Sequence, residues 1–178
     1  MSLTTEMVIL VDSNDHQTGV MEKMQAHLEG RLHRAFSVLV FNLEGKWLLH
    51  KRASDKYHSG GLWTNACCSH PRPGETIKEA AIRRMEEEMG MKCHPEQAFS
   101  FTYRAELEKG LVEHELDYVF VVQTDDLPTP NPLEVEDFAY LSRTELEDQL
   151  TSHPERFTAW FRIIFEHVQS NPLLIPGC

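Results

Sequence analysis

Alternation of apolar and polar positions divides the chain into strands first and helices second. MVILVD at 7–12 is an apolar strand, a polar turn follows at 13–16, and 17–23 reads as the returning strand of a hairpin. Residues 24–31 read as a loop that carries His27. The run AFSVLVFN at 35–42 is strongly apolar and reads as a buried strand, and Glu44-Gly45 turns it into KWLLHKR as an antiparallel neighbour. FSFTYRAEL at 99–107 and EHELDYVFVVQ at 113–123 form two further strands joined around Glu108 to Gly110. LPTPNP at 127–132 is a stiff surface connection, EVEDFAYLS a short strand, and two helical patterns close the chain at 143–150 and 154–169.

The best-marked helix lies between these strand groups. Pro73-Gly74 breaks the preceding segment, Thr76 and Glu79 have capping-box spacing, and Gly90 suits a left-handed C-terminal cap. Ile77, Ala81, Met85 and Met89 make one apolar stripe, while Arg84 and Glu88 fall on another. Glu86-Glu87-Glu88 opposes the helix dipole near its C-terminal end, a repulsion that a divalent cation relieves.

At 178 residues the chain is one domain. A net charge of −11 argues against nonspecific binding to nucleic acid or to an anionic membrane, so an anionic ligand requires a local cationic pocket. No basic leader or membrane-length apolar run is visible, which makes the cytoplasm the expected compartment and the four cysteines reduced thiols. Cys178 follows Pro-Gly at the end of the sequence and makes no prenylation box. Nothing in the periodicity sets an oligomeric state.

Chemistry concentrates in WTNACCSHP at 63–71 and in VEHE at 112–115. Strand alternation puts Glu113 and Glu115 on one face with His114 opposite, which is how a strand delivers two carboxylates to one metal. With His27, His33 and His70 they make a donor set suited to Mn²⁺, Fe²⁺ or Zn²⁺, or to Mg²⁺ where oxygens contribute. Only one of Cys67 and Cys68 can face a given pocket from an extended segment, and a catalytic thiol there needs a neighbouring cation or metal. Lys23, Arg52, Lys56 and Arg84 are candidate phosphate contacts, the guanidinium groups because they meet phosphate oxygens in bidentate fashion. Trp63, Tyr103 and Trp160 are ordinary core residues unless a cationic intermediate calls for an aromatic face.

The segment 69–91 resembles the Nudix box, with Glu75, Arg83, Met85, Glu87, Glu88, Gly90 and Met91 at matching positions. Ser69 replaces its opening glycine, and Arg84 replaces a glutamate of the hydrolytic metal cluster. Exchanging a metal-binding carboxylate for a cation argues against nucleoside-diphosphate hydrolysis. With RLHRAFSVLVFN, GLWTNACCSHP, VEHE and TAWF in this order, the chain resembles type I isopentenyl-diphosphate Δ-isomerase over about residues 8–165. The resemblance implies a single-domain α/β (α+β) fold, a Nudix-like mixed sheet flanked by helices. It also implies interconversion of isopentenyl and dimethylallyl diphosphate through a tertiary carbocation. By motif, His27, His33, His70, Glu113 and Glu115 would hold the first metal, and Glu88, with the Cys68 carbonyl, a Mg²⁺ that bridges to the diphosphate. Lys23, Arg52, Lys56 and Arg84 would contact the diphosphate. Cys68 and Glu115 would transfer the protons, Glu115 as donor, with Tyr103 supporting Glu115. Trp160 would face the cation from a C-terminal helix acting as a lid. The alternatives are a Nudix pyrophosphohydrolase and a catalytically inactive binding domain.

Overall fold

The computed structural model describes residues 6–172. Cys178 lies outside them, and Cys67, Cys68 and Cys93 are free thiols. Strands β1 (Met7–Val11) and β2 (Gln17–Glu22) form the expected hairpin, and β1 reaches β3 (His33–Phe41) through Leu10 opposite His33. β3 is the centre of the sheet. It pairs parallel with β8 (Val112–Gln123) over its whole length and antiparallel with β4 (Trp47–Arg52) and β6 (Cys67–Ser69). β7 (Glu96–Glu106) extends the sheet beyond β8, while β5 (Trp63–Asn65) and β9 (Val135–Leu141) pair with β4. The sheet is therefore mixed, as expected. The hairpin expected of β3 and β4 is reduced to two register pairs, Val40–Leu48 and Phe41–Trp47, because β6 and β1 pair with the earlier part of the same edge of β3.

The unbroken apolar run of β3 has a direct cause in the two layers that cover it. Leu39 and Phe41 pack on α4 (Ala159–Ser170), whereas Phe36, Val38 and Val40 pack on α2 (Ile77–Met89). Both faces are core, so no position along the run can be polar without a partner. Helix α2 has the expected capping box at Thr76 and Glu79, and Gly90 closes it at φ 65°. Ala81, Met85 and Met89 of the predicted stripe are buried, joined by Ala80.

Three expectations need correction. Residues 24–31 are not a loop: α1 (Lys23–Glu29) occupies them, with the Glu22 carboxylate accepting from the backbone N–H groups of Met24 and Gln25. Its seven residues are too few to show a periodicity, although Gly30 is a proper left-handed cap. The last pattern is not one helix either. Pro154–Arg156 form a separate 3₁₀ turn, and the buried Phe157 breaks it from α4. Nor is α4 a lid: Trp160, Phe161, Ile164, Phe165 and Val168 are all buried and form one side of the main core. Helix α3 (Arg143–Ser152) precedes it, closed by a second capping box at Ser142 and Glu145.

Candidate active site

The site is the polar continuation of the core face that α4 covers. On β3, Leu39 and Phe41 are followed toward the strand's start by Ser37 and His33 at the same parity; on β8, Val121 and Val119 are followed by Asp117, Glu115 and Glu113. The parallel register sets His33 opposite Glu115 and Ser37 opposite Val119. Period-two alternation thus carries one sheet face from hydrocarbon to ionisable groups without a change of element.

Each histidine of the expected set has one ring nitrogen tied back to the scaffold or turned inward. His27 Nδ1 lies 2.8 Å from the Lys23 carbonyl oxygen, and His33 Nδ1 2.7 Å from that of Arg31. Their other nitrogens are left for the interior, where His27 Nε2 is buried without a partner. His33 Nε2 and His70 Nε2 stand 3.3 Å apart, and Glu115 Oε1 is 2.9 Å from His70 Nε2 and 3.4 Å from His33 Nε2. Donor atoms of His27, His33, His70 and Glu115 all fall within 4.8 Å of one another. Two of the three imidazoles are held from behind by carbonyl oxygens, and nitrogens of all three converge on one carboxylate as a divalent metal requires, so the residues fit such an ion. Glu113 stands beside this cluster: it shares His27 with it, and its own donor atom also groups with His58, a histidine that no sequence motif had singled out.

The two carboxylates share one hydroxyl: Tyr103 Oη lies 2.7 Å from Glu115 Oε2 and 3.0 Å from Glu113 Oε2. Burial and the charge of Glu115 push the Glu113 carboxyl well above its usual range. Burial acts the same way on Glu115, but hydrogen bonds and charge from His33 and His70 outweigh it and hold that carboxyl well below. His70 is depressed to about 4, chiefly by burial and against its bond to Glu115. Asp117, one alternation further along β8 and bonded to Ser37 Oγ at 2.8 Å, is raised to about 8 by burial and by Glu115. The same alternation that found Glu113 and Glu115 would have found Asp117.

Cys68 faces this pocket and Cys67 does not. Ser37 is the register partner of Cys68 and Val38 that of Cys67, so the two thiols turn to opposite faces. Cys67 is fully buried in the layer under α2, while Cys68 packs at the edge of the α4 core. Burial pushes the Cys68 thiol up to about 12; the Arg52 guanidinium, whose Nη1 is 4.0 Å from the sulfur, opposes this. Arg52 also stands over the Trp160 ring, 5.3 Å from its centroid. Trp160 is held there by the start of α4, where Thr158 donates its N–H to the Trp63 carbonyl and shares a hydroxyl contact with Thr64.

One pocket collects Lys23, Arg52, Lys56 and Arg84 together with Cys68, Glu88 and Trp160. Three of these cations are engaged with the chain's own carboxylates, Lys23 with Glu6 at 2.8 Å, Lys56 with Glu134, and Arg84 with Glu87, Glu88 and Glu134, while Arg52 donates to the His58 and Ser59 carbonyls. Glu134 was not anticipated, since it precedes β9, remote in sequence from both its partners. Arg83 serves the box differently, pairing in bidentate fashion with Glu75 at 2.7 and 2.9 Å and bracing the loop against α2.

The NUDIX domain family matches residues 31–161. The chain is 52% identical over 161 residues to the isopentenyl-diphosphate Delta-isomerase of Pectobacterium atrosepticum, covering 90% of each chain. It is 44% identical over 168 residues to the enzyme of the same name from Serratia proteamaculans, covering 94% of each. Among solved structures, DR0079 from Deinococcus radiodurans superposes with a TM-score of 0.70 at 19% identity, covering 83% of this chain and 90% of that one, and a MutT protein from Methanosarcina mazei with 0.66 at 20%, covering 79% and 95%. These structural likenesses speak to the fold alone. With a Nudix domain over most of its length and isomerase relatives aligned nearly end to end, the chain belongs to the isopentenyl-diphosphate Delta-isomerase family of Nudix-fold proteins.

Proposed function

We propose that this protein isomerises isopentenyl diphosphate to dimethylallyl diphosphate, by adding a proton to the terminal methylene and removing one from C2 through a tertiary carbocation. The observation that carries the reading is the placement of a thiol, a metal-type carboxylate and an indole around one pocket rimmed by cations: Cys68, Glu115 and Trp160 with Lys23, Arg52, Lys56 and Arg84. A hydrolase needs a water-activating carboxylate where this helix carries Arg84.

In this mechanism Lys23, Lys56 and Arg84 exchange their internal carboxylate partners for the oxygens of the diphosphate, Arg52 adds the charge of its guanidinium beside them, and together they fix the hydrocarbon tail against Trp160. Glu115, which His33 and His70 hold ionised in the free protein, takes up a proton before the cycle and, as a correspondingly strong acid, donates it to the alkene, with Tyr103 holding that carboxyl in line; Cys68 takes the C2 proton as thiolate in the forward direction, and the roles exchange in reverse. Because burial favours the neutral thiol, the thiolate depends on Arg52 beside it. The indole face opposes the developing positive charge and the packed α4 wall keeps water away from it. His27, His33, His70, Glu113 and Glu115 would hold Mn²⁺ or Mg²⁺, or Zn²⁺ in their place, and Glu88 with the Cys68 carbonyl a Mg²⁺. Bound divalent cations neutralise the buried carboxylates and the substrate's diphosphate. The site of action is the cytoplasm, and no helix among the described residues is long and apolar enough to cross a membrane.

Incubation with isopentenyl diphosphate and Mg²⁺ in D₂O tests the reading. Deuterium is expected in the methyl groups of a dimethylallyl product. Release of phosphate or pyrophosphate without isomerisation would replace this reading with a hydrolytic one.

A further inference from the structure

His58 belongs to none of the motifs discussed above, yet its surroundings are built with unusual care. It is buried, in the loop between β4 and β5. Arg52 donates from Nη2 to the His58 carbonyl and from Nε to the Ser59 carbonyl, both at 3.2 Å, and the Ser59 N–H donates to the Glu108 carboxylate. Ser59 holds φ 51°, a left-handed conformation that a residue with a side chain adopts only where its surroundings impose it. Gly60 follows at a close approach, since a Cβ there would lie 2.6 Å from the Ser54 carbonyl oxygen.

This loop aims one imidazole nitrogen inward. His58 Nδ1 is 3.2 Å from Ser59 Oγ, leaving Nε2 to face Glu113 at 3.6 Å from Oε1. The His58 ring stacks against His27, 5.7 Å between centroids, and His27 Nε2 is a buried ring nitrogen without a partner. Donor atoms of His27, His58 and Glu113 lie within 4.8 Å of one another, all three residues buried. His27 is shared with the His33, His70 and Glu115 cluster, but its Nδ1 is committed to the Lys23 carbonyl, so its single remaining nitrogen can serve one ion at a time.

We propose that His58 is a metal ligand, forming with His27 and Glu113 a second seat for a divalent ion that adjoins the first seat, shares His27 and Glu113 with it and is occupied in alternation with it. Two imidazoles and one carboxylate suit a transition ion such as Zn²⁺, Mn²⁺, Fe²⁺ or Co²⁺ rather than Mg²⁺, which prefers oxygen. The His58 ring meets Trp160 edge-on at 6.1 Å, so an ion in this seat lies on the side of the pocket nearest the aromatic wall. The inference deepens the metal reading proposed above and rests on it.

Co²⁺ is the probe, added to metal-stripped full-length protein and followed by its visible absorption and bound stoichiometry, for wild type, H58Q, H70Q and the double variant. Wild type is expected to bind one Co²⁺. H58Q should weaken binding by roughly tenfold or more and change the absorption band, H70Q should keep a band from the remaining seat, and the double variant should lose it. His58→Phe keeps the ring volume without the nitrogens and serves if the Gln variant does not fold. Wild-type affinity and spectrum in a folded His58 variant, with H70Q impaired, would overturn the second seat alone; unchanged binding in both single variants would overturn the metal reading as a whole. Two Co²⁺ bound at once would overturn the sharing of His27 and Glu113.

Discussion

Tyr103 and Glu115 are register partners across the β7–β8 ribbon, and the phenol reaches back over that pairing to place its hydroxyl 2.7 Å from Glu115 Oε2. The same oxygen lies within hydrogen-bonding distance of Glu113, so one buried hydroxyl sets the attitude of two carboxylates. Removing it in Tyr103→Phe preserves the ring in the core and frees both carboxylates. We expect turnover to fall by roughly 10- to 100-fold with the substrate KM nearly unchanged, the size of effect seen when a supporting hydrogen bond to a metal-type ligand is lost. Steady-state kinetics with a folded variant checks this; equal losses in turnover and in diphosphate binding would place Tyr103 elsewhere in the mechanism.

The neighbouring thiols form an internal control. Cys68→Ala should nearly abolish isomerisation while the melting temperature changes little. Cys67→Ala should do the reverse, since its sulfur is fully buried against α2 and its loss costs about 1 kcal/mol of packing with activity retained. Thermal melts and turnover on the two variants separate the roles, and an active Cys68→Ala enzyme would remove that thiol from the proton transfers.

Trp160 is expected to act through its ring face. Trp160→Phe keeps an aromatic wall of weaker quadrupole and should retain more turnover than Trp160→Leu, although leucine also fills apolar space. If the two variants are equally active, the indole serves packing alone.

Stability should depend on pH through His50. Its ring is buried, with Nδ1 3.0 Å from the Ala66 carbonyl, and burial, aided by the Arg52 charge, depresses it from 6.5 to about 4. A folded-state value below the unfolded one gives stability that is complete above about pH 6.5 and is lost as pH falls toward 4, because the unfolded chain takes up the proton first. The loss from this residue is on the order of 3 kcal/mol. His50→Asn, which keeps an amide donor near the Ala66 carbonyl but does not titrate, should show a shallower decline than wild type in denaturant melts between those pH values. Parallel curves would mean that other groups carry the dependence.

Chelation gives a test of stability as well as activity. An ion bound between α1, β3, β8 and the residue that follows β6 ties four parts of the fold together, so stripping it should lower both the melting temperature and turnover, and adding Mn²⁺ or Mg²⁺ should restore both. A melting temperature indifferent to chelator and to added metal would argue that the histidine cluster is a satisfied polar core.

What the sequence determined by itself was local. The capping box and Gly90 bounded α2, the apolar run marked β3 as a buried strand, and alternation put Glu113 and Glu115 on one side of β8. These signals depend only on the helical and extended repeats, which are written into neighbouring residues. Motif resemblance added the grouping of His27, His33, His70 and Cys68, whose spacing alone carries little among ten histidines. Tertiary structure decided the rest. Parallel pairing of β3 with β8 sets His33 against Glu115, a relation across 82 residues that no periodicity encodes, and antiparallel pairing with β6 chooses Cys68 over Cys67. Helix α1 formed where residues 24–31 had read as a loop, because packing of Ala26 and His27 and the caps at Glu22 and Gly30 supply what seven residues lack in intrinsic helix stability. Glu134 and His58 joined the pocket for the same reason: their partners are supplied by other elements of the fold, and only closure of the sheet brings those charges and ring nitrogens within reach of one another.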